Sequence, residues 1–137
     1  QAIAEGRFDL LLVERVEQEL AQLGAVFLCE YPAALASLAR PKPDNPTVAE
    51  RVELYISGVE IANGFSELTD AAAQRLRFEA EMAKAGIDRS LMPEKFLRDL
   101  ERLPACAGIA LGLDRLFMLL LGKRILAEIL PFSDSDL

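Results

Sequence analysis

Four polar side chains on one short stretch have the types and spacing of a binding site. Glu53, Glu60, Asn63 and Glu67 fall within fifteen residues of one another. Carboxylate oxygens suit Mg²⁺, which usually takes one or two protein carboxylates together with substrate phosphates. A remaining carboxylate and amide could hold an ammonium group. The alternative is a set of ordinary polar residues on a solvated sheet face, and spacing alone leaves both interpretations open.

A second candidate site lies where a strand is predicted to pass into a helix. On that strand Cys106, Gly108 and Ala110 would share one face, and their small side chains would leave room for a flat ligand against the backbone. Gly112 would then open a helix whose first turn offers free N–H groups and a positive dipole, with Arg115 nearby. These features suit a phosphate. The alternative is a tight turn with a surface arginine.

A β-hairpin is predicted to position the first group of residues. Residues 51–56 and 59–62 alternate apolar and polar, with Ser57-Gly58 between them. In that register Glu53 and Glu60 share a face with Tyr55 and lie about 7 Å apart at Cα, which would allow them to share a divalent cation. The opposite, apolar face would consist of Val52, Leu54, Ile56, Val59 and Ile61.

The remaining elements indicate an α+β fold with an antiparallel sheet rather than a doubly wound parallel sheet, since helices are inserted between hairpin strands without strict alternation. Apolar spacing predicts helices over 8–23, 71–85, 93–103 and 112–121, and strands over 25–31, 105–111 and 126–130. The strand over 25–31 should be buried. The length of 137 residues fits a single domain over 1–137.

Composition excludes several kinds of chemistry. The sequence has no histidine, so Ser-His-Asp triads and histidine-based zinc sites are ruled out. Neither G-x-G-x-x-G nor G-x-x-x-x-G-K-[ST] occurs, so the common phosphate-loop folds are not supported. A net charge of −7 makes the chain a poor general binder of nucleic-acid backbones.

Several features of the sequence predict a cytoplasmic protein that does not cross a membrane. The longest apolar run, residues 116–122, is far shorter than the ~20 residues that cross a bilayer. No secretory signal opens the sequence. The two cysteines, Cys29 and Cys106, form no C-x-x-C motif, and we expect reduced, half-buried thiols in preference to one disulfide.

Two segments together resemble a known family. Residues 51–70, RVELYISGVEIANGFSELTD, are similar to the active-site hairpin of class II lysyl-tRNA synthetases. Residues 108–115, GIALGLDR, resemble the core of motif 3 of class II synthetases, which would extend over 105–121. The resemblance implies a class II synthetase-like antiparallel sheet flanked by helices. It also implies a ligase that activates an amino acid as its adenylate.

The resemblance implies a role for each candidate residue. Glu53 and Glu60 would hold Mg²⁺ on the phosphates of ATP, and Glu60 and Arg115 would be catalytic. Arg115 would clamp the γ-phosphate, while the strand from Gly108 to Gly112 would support adenine. The ε-ammonium of a lysine-type substrate would be bound by Asn63 and Glu67, in a pocket narrowed by Ala110.

Three features favour the elongation factor P lysine ligases, which are paralogues of the lysyl-tRNA synthetases. Ala110 stands where lysyl-tRNA synthetases usually carry glycine, and residues 29–39, CEYPAALASLA, resemble the Tyr-Pro-Ala segment of these ligases. The negative charge suits a protein acceptor better than RNA. The implied substrate is lysine or (R)-β-lysine, and the implied acceptor is elongation factor P. The alternatives are a lysyl-tRNA synthetase acting on tRNA-Lys and a non-catalytic ATP-binding module.

The resemblance also implies that the chain is the C-terminal portion of a catalytic domain. Motif 1, which forms the usual dimer interface, and motif 2 would lie upstream, so we expect a homodimer for the full-length protein. We do not expect the isolated chain to form adenylate at a useful rate.

Overall fold

The fold contains a four-stranded antiparallel sheet in the order β1–β2–β3–β4. The structure is a computed structural model, and it describes residues 7–36 and 38–132. The architecture confirms the expected α+β class. The strands are β1 (Ala25–Pro32), β2 (Val48–Ile56), β3 (Val59–Ser66) and β4 (Ala107–Leu111).

Helical elements precede and follow the strands in the chain. They are α1 (Phe8–Leu11), a π-helical stretch (Leu12–Val16), α2 (Glu17–Leu20), α3 (Ala71–Ala85), α4 (Glu94–Leu100) and α5 (Leu113–Leu120), with 3₁₀ turns at Ala33–Leu35, Arg89–Leu91 and Leu126–Glu128. The helix predicted over 8–23 therefore consists of three pieces and ends at Leu20. No helix in the described ranges has the length and apolar character needed to cross a membrane.

The strand predicted over 126–130 is wrong. Leu126–Glu128 form a 3₁₀ turn instead, and the Ile129 N–H donates to the Leu126 carbonyl over 2.9 Å. A short apolar run has no periodicity that separates a strand from a helical turn, so its local hydrogen bonds decided the outcome.

The chain divides into two compact units. The first comprises residues 1–29, 52–64 and 109–137, and the second comprises residues 30–51 and 65–108. Each of the four strands contributes residues to both units.

The hairpin turn of the first unit lies against the segment that follows α2. Ser57 and Gly58 have φ angles of 50° and 79°, which is typical of the type I′ turn expected from a two-residue loop. An ideal Cβ on Gly58 would lie only 2.9 Å from the Cβ of Ala21. The Ser57 N–H donates to the Gly24 carbonyl over 2.8 Å. Close approach and backbone conformation therefore both require glycine at position 58.

We expect Gly58→Ala to destabilise the protein by about 3 kcal/mol, since the left-handed φ costs a Cβ-bearing residue about 1–2 kcal/mol and the overlap with Ala21 adds to this. Gly24→Ala is the matched control, because Gly24 has a φ of 75° but nothing within 4 Å of its added Cβ. That variant should lose only about 1 kcal/mol. Denaturant unfolding of both variants measures the difference, and equal losses would contradict the close contact.

The two faces of β2 are not buried as their polarity suggests, whereas on β3 the apolar Ile61 is buried and Glu60 is partly exposed, as expected. Glu53 and Tyr55 are only 4% and 1% exposed, whereas Val52, Leu54 and Ile56 on the predicted apolar face are partly exposed. Alternation shows which residues share a face, but it cannot show which face other elements cover. The burial of Glu53 is inconsistent with an ordinary solvated sheet face.

The second unit has a small apolar core and a helix pair. Ala36, Ala39 and Ala49 are fully buried, and Phe65 packs against them. α3 begins after Asp70, whose carboxylate accepts from the N–H groups of Ala72 and Ala73, and it ends at Gly86, as predicted. α3 contacts α4, with the rings of Phe78 and Phe96 5.9 Å apart.

The sequence predicts a thin apolar stripe of Leu76, Phe78 and Met82 along α3, and the buried side of this helix differs from that stripe. Leu76, expected to face inward, is exposed, while Met82 and the polar Gln74 are buried. The expected stripe was thin, and a thin stripe defines the inward face of a helix poorly.

Both outer strands of the sheet are largely exposed. Tyr31 is the one buried residue of β1, and all five residues of β4 are exposed, so the buried strand predicted over 25–31 is wrong. An apolar run predicts burial, yet β1 and β4 are edge strands and pair on one side only. Cys29 and Cys106 are both free, with Cys29 exposed and Cys106 partly buried.

Candidate active site

Glu53 of the first unit has a buried carboxylate with a hydrogen-bond donor on each oxygen. The hydroxyl of Tyr55 donates to Oε2 over 2.9 Å, and Nδ2 of Asn63 donates to Oε1 over 2.9 Å. A buried carboxylate is costly unless it is hydrogen-bonded, and donors on both oxygens hold it in one orientation. A carboxylate has about four lone-pair positions, so capacity remains for a cation.

Asn63 provides a second acceptor beside Glu53. The alternation along the hairpin does not predict where the side chain of Asn63 lies. In the structure its hydrogen bond to Glu53 places it beside that carboxylate. Because a carboxylate accepts only, the amide must present its nitrogen to Glu53. Its Oδ1 is buried and has no hydrogen-bond partner among the described residues. An unpartnered buried acceptor is unfavourable, and a cationic donor such as an ammonium fits it.

Glu60 and Arg115, predicted to act together, are in contact. Nη1 of Arg115 donates to the backbone carbonyl of Glu60 over 3.0 Å and to its Oε2 over 3.1 Å. Both side chains are partly exposed, so a ligand can reach them. The arginine comes from α5 and the glutamate from β3, and the contact joins residues 55 positions apart.

Gly112 connects the start of α5 to β3. It is the N-cap of α5, and its N–H donates to the Ile61 carbonyl over 2.8 Å, whereas phosphate binding was expected from the N–H groups of the turn that follows. The bond ties the start of α5 to β3, which helps to hold Arg115 beside Glu60. The small-residue position Ala110, on β4, is exposed.

An open cavity of about 430 Å³ adjoins the Glu60–Arg115 pair, within the size range of small-molecule sites. Its lining contains two acidic and two basic side chains, since Glu17 and Arg124 lie beside Glu60 and Arg115. The other lining residues are Gly58, Val59, Met118, Ile125 and Leu126.

Tyr55 belongs to this site, although the sequence assigned it no role. Burial, followed by the hydrogen bond to Glu53, raises the pKa of its hydroxyl well above the usual value. The hydroxyl also lies 3.5 Å from Oε1 of Glu17. Strand alternation places Tyr55 on the same face as Glu53, and this pattern could have identified Tyr55 as a residue of the site. Nothing in the sequence pointed to Glu17, because its approach depends on tertiary packing.

Glu67 and Gly108 belong to the second unit, where they are in close contact. The N–H of Glu67 donates to the Cys106 carbonyl over 3.0 Å, and the backbones of Glu67 and Ala39 form an isolated antiparallel β-bridge. An ideal Cβ on Gly108 would lie 3.1 Å from Oε1 of Glu67. The missing side chain of Gly108 therefore makes room for the Glu67 carboxylate.

The resemblance implies that Glu67 binds the ammonium of a lysine-type substrate. On that basis we expect Gly108→Ala to displace the Glu67 carboxylate by a few tenths of an ångström and to raise the KM for such a substrate about 10-fold. Stability should change by less than about 1 kcal/mol, because the end of a flexible side chain can move. Gly86→Ala provides the contrast, since Gly86 has a φ of 66° in open space. It should lose about 1 kcal/mol of stability with KM unchanged. Steady-state kinetics and melting curves test both, and an unchanged KM for Gly108→Ala would refute the contact's importance.

The metal-binding capacity of the described residues is limited. They contain no group of three or more histidine, cysteine, aspartate or glutamate side chains that could hold a metal ion. Mg²⁺ commonly takes one or two carboxylates together with substrate phosphates, and the carboxylates expected to serve in this way are Glu53 and Glu60.

Comparisons with known proteins identify relatives of the whole chain. Residues 7–136 match the family model described as tRNA synthetases class II (D, K and N). The chain is 45% identical over 128 residues to the elongation factor P--(R)-beta-lysine ligase of Proteus mirabilis (strain HI4320), covering 90% of this chain and 39% of that protein.

Proteins of the same name from other bacteria are similarly close. The identity is 43% over 129 residues for Klebsiella pneumoniae (strain 342), covering 91% of this chain, and 44% over 129 residues for Vibrio vulnificus (strain YJ016), covering 90%. The chain spans 40% of the length of each of these two relatives. The match to the family model covers almost all of the sequence, and the chain belongs to the class II tRNA synthetases (D, K and N).

Proposed function

We propose that this chain contributes to an ATP-dependent ligase that activates lysine or (R)-β-lysine as an adenylate and transfers it to a lysine of elongation factor P. The observation that carries the proposal is the buried Glu53 carboxylate beside the unpartnered Oδ1 of Asn63. Such a pair suits a cation. The names of the relatives support the substrate and the acceptor.

In this proposal the charged residues divide the work between ATP and the amino acid. Glu53 and Glu60 hold Mg²⁺, which would neutralise charge on the phosphates, and Arg115 contacts the γ-phosphate. The strand from Gly108 to Gly112 supports adenine. Asn63 and Glu67 bind the side-chain ammonium of the substrate, and Ala110 limits the space beside it.

The proposed reaction has two steps. A carboxylate oxygen of the amino acid attacks the α-phosphorus of ATP, and the bond from that phosphorus to the bridging oxygen breaks, releasing pyrophosphate. The ε-amine of the acceptor lysine then attacks the adenylate carbonyl, releasing AMP and a proton. The contribution of this chain is positioning and charge neutralisation, and no covalent nucleophile is needed.

For the whole protein we also propose a homodimer in the cytoplasm, with this chain as the C-terminal part of the catalytic domain. The support is the family membership and the resemblance of residues 105–121 to motif 3.

The alternative is a lysyl-tRNA synthetase, favoured by the likeness of residues 51–70 to the hairpin of those enzymes. Pyrophosphate exchange by the full-length protein, with L-lysine and (R)-β-lysine compared, separates the two functions. We expect a preference for (R)-β-lysine that Ala110→Gly shifts toward L-lysine by about 10-fold, the scale of a one-methylene change in a pocket. A preference for L-lysine in the unaltered protein would support the synthetase. Exchange with neither amino acid, together with Mg²⁺-dependent ATP binding, would indicate a non-catalytic module.

A further inference from the structure

The phenol of Tyr55 is placed to act on Glu53. Tyr55 is 1% exposed, and its hydroxyl lies 2.9 Å from Oε2 of Glu53 and 3.5 Å from Oε1 of Glu17. A phenol has one proton, and the shorter distance gives that proton to Glu53. Burying a hydroxyl is unfavourable unless it is hydrogen-bonded, and the bond to Glu53 meets that requirement.

The hydroxyl of Tyr55 contributes to the orientation of the Glu53 carboxylate. Asn63 donates to Oε1, and Tyr55 donates to Oε2. The terminal torsion of a glutamate is broad and roughly two-fold, so a donor on each oxygen limits the rotation of the carboxylate plane more than a donor on one oxygen does.

We propose that Tyr55 is a positioning residue, whose hydroxyl holds the Glu53 carboxylate in the orientation that a bound divalent cation requires. The inference rests on the proposed function, in which Glu53 holds Mg²⁺. Glu17 is a weaker, competing acceptor for the same proton, so its charge is not required for the effect.

The test removes one oxygen atom from each of the two tyrosines of the sequence in turn. Tyr55→Phe and the control Tyr31→Phe are prepared in the full-length protein. Tyr31 is also buried, and its ring, over which the Arg51 guanidinium lies at 4.5 Å, is retained in phenylalanine. The probe is Mn²⁺ with the non-hydrolysable analogue β,γ-methylene-ATP, followed by electron paramagnetic resonance. The KM for Mg·ATP, kcat and the melting temperature are measured alongside.

Tyr55→Phe should weaken Mn²⁺ binding and raise the KM for Mg·ATP about 10-fold, the size expected for one hydrogen bond to a charged group. Tyr31→Phe should leave both within about 2-fold. Unchanged Mn²⁺ binding by Tyr55→Phe would overturn the proposal. Losses in both variants that follow a lowered melting temperature would also overturn it, since they indicate packing alone.

A second variant decides where Tyr55→Phe does not fold. Replacing Tyr55 with 4-fluorophenylalanine fills the space of the hydroxyl with a fluorine atom that donates no hydrogen bond. A loss of Mn²⁺ binding of about 10-fold supports the proposal, and binding within about 2-fold overturns it. Pyrophosphate exchange by the unaltered protein is a separate readout. Its absence would refute the proposed function, while the Mn²⁺ comparison still reports on Tyr55.

Discussion

Glu53→Gln is expected to lower ATP–pyrophosphate exchange by the full-length protein at least about 100-fold, the scale observed when one preorganised electrostatic group is lost from an active site. Glutamine has nearly the same shape but no charge, and its amide nitrogen cannot bind a cation. It would also face Tyr55 and Asn63, which both donate to Glu53. The substitution therefore removes the cation ligand and sets donors against each other in a buried place.

Glu50→Gln is the matched control for this result. Glu50 lies on the same strand, and hydrogen bonds from Ser66 and then Arg40 lower the pKa of its carboxyl, so it is ionised at neutral pH. Its exchange rate should stay within about 2-fold, since partly exposed ion pairs contribute at most about 1 kcal/mol. Equal losses in the two variants would show that β2 needs these glutamates for folding and would remove Glu53 from the site.

Arg115→Lys is expected to lower exchange about 100-fold, despite keeping the charge. The contacts of Arg115 with Glu60 use Nη1 alone, and Nη2 and Nε have no hydrogen-bond partner in the part of the chain that the structure describes. A guanidinium can therefore remain on Glu60 while it binds a phosphate through two other N–H groups. A lysine ammonium cannot reproduce this planar arrangement.

Arg75→Lys tests whether replacing any arginine that is paired with a glutamate lowers exchange to the same extent. Arg75 holds both carboxylate oxygens of Glu94, at 2.7 and 2.6 Å, on the exposed side of the second unit. Exchange by this variant should remain within about 2-fold, with at most about 1 kcal/mol of stability lost. If Arg115→Lys matched Arg75→Lys, Arg115 would be a structural partner of Glu60 and would have no role toward phosphate.

Local patterns determined the hairpin and much of the candidate site. Strict alternation and the Ser57-Gly58 turn gave the strand pair, its register and the shared face of Glu53 and Tyr55, because side chains alternate with a period of two. Asp70 and Gly86 marked the ends of α3 through capping chemistry that involves only neighbouring residues. Local patterns allowed Glu60, Asn63, Glu67 and Arg115 to bind a cation, an ammonium group or a phosphate. The family resemblance added the particular roles toward ATP and a lysine-type substrate.

Tertiary structure decided burial and the contacts between distant residues. The apolar run of β1 lies mostly exposed at a sheet edge, and on β2 the face of Glu53 and Tyr55 is more deeply buried than the apolar face. Glu60 meets Arg115, and Tyr55 approaches Glu17, because α5 and α2 pack beside the hairpin within the first unit. Hydrophobic periodicity is a property of one element at a time. Which face is covered, and which donors reach a carboxylate, depends on elements far apart in the chain.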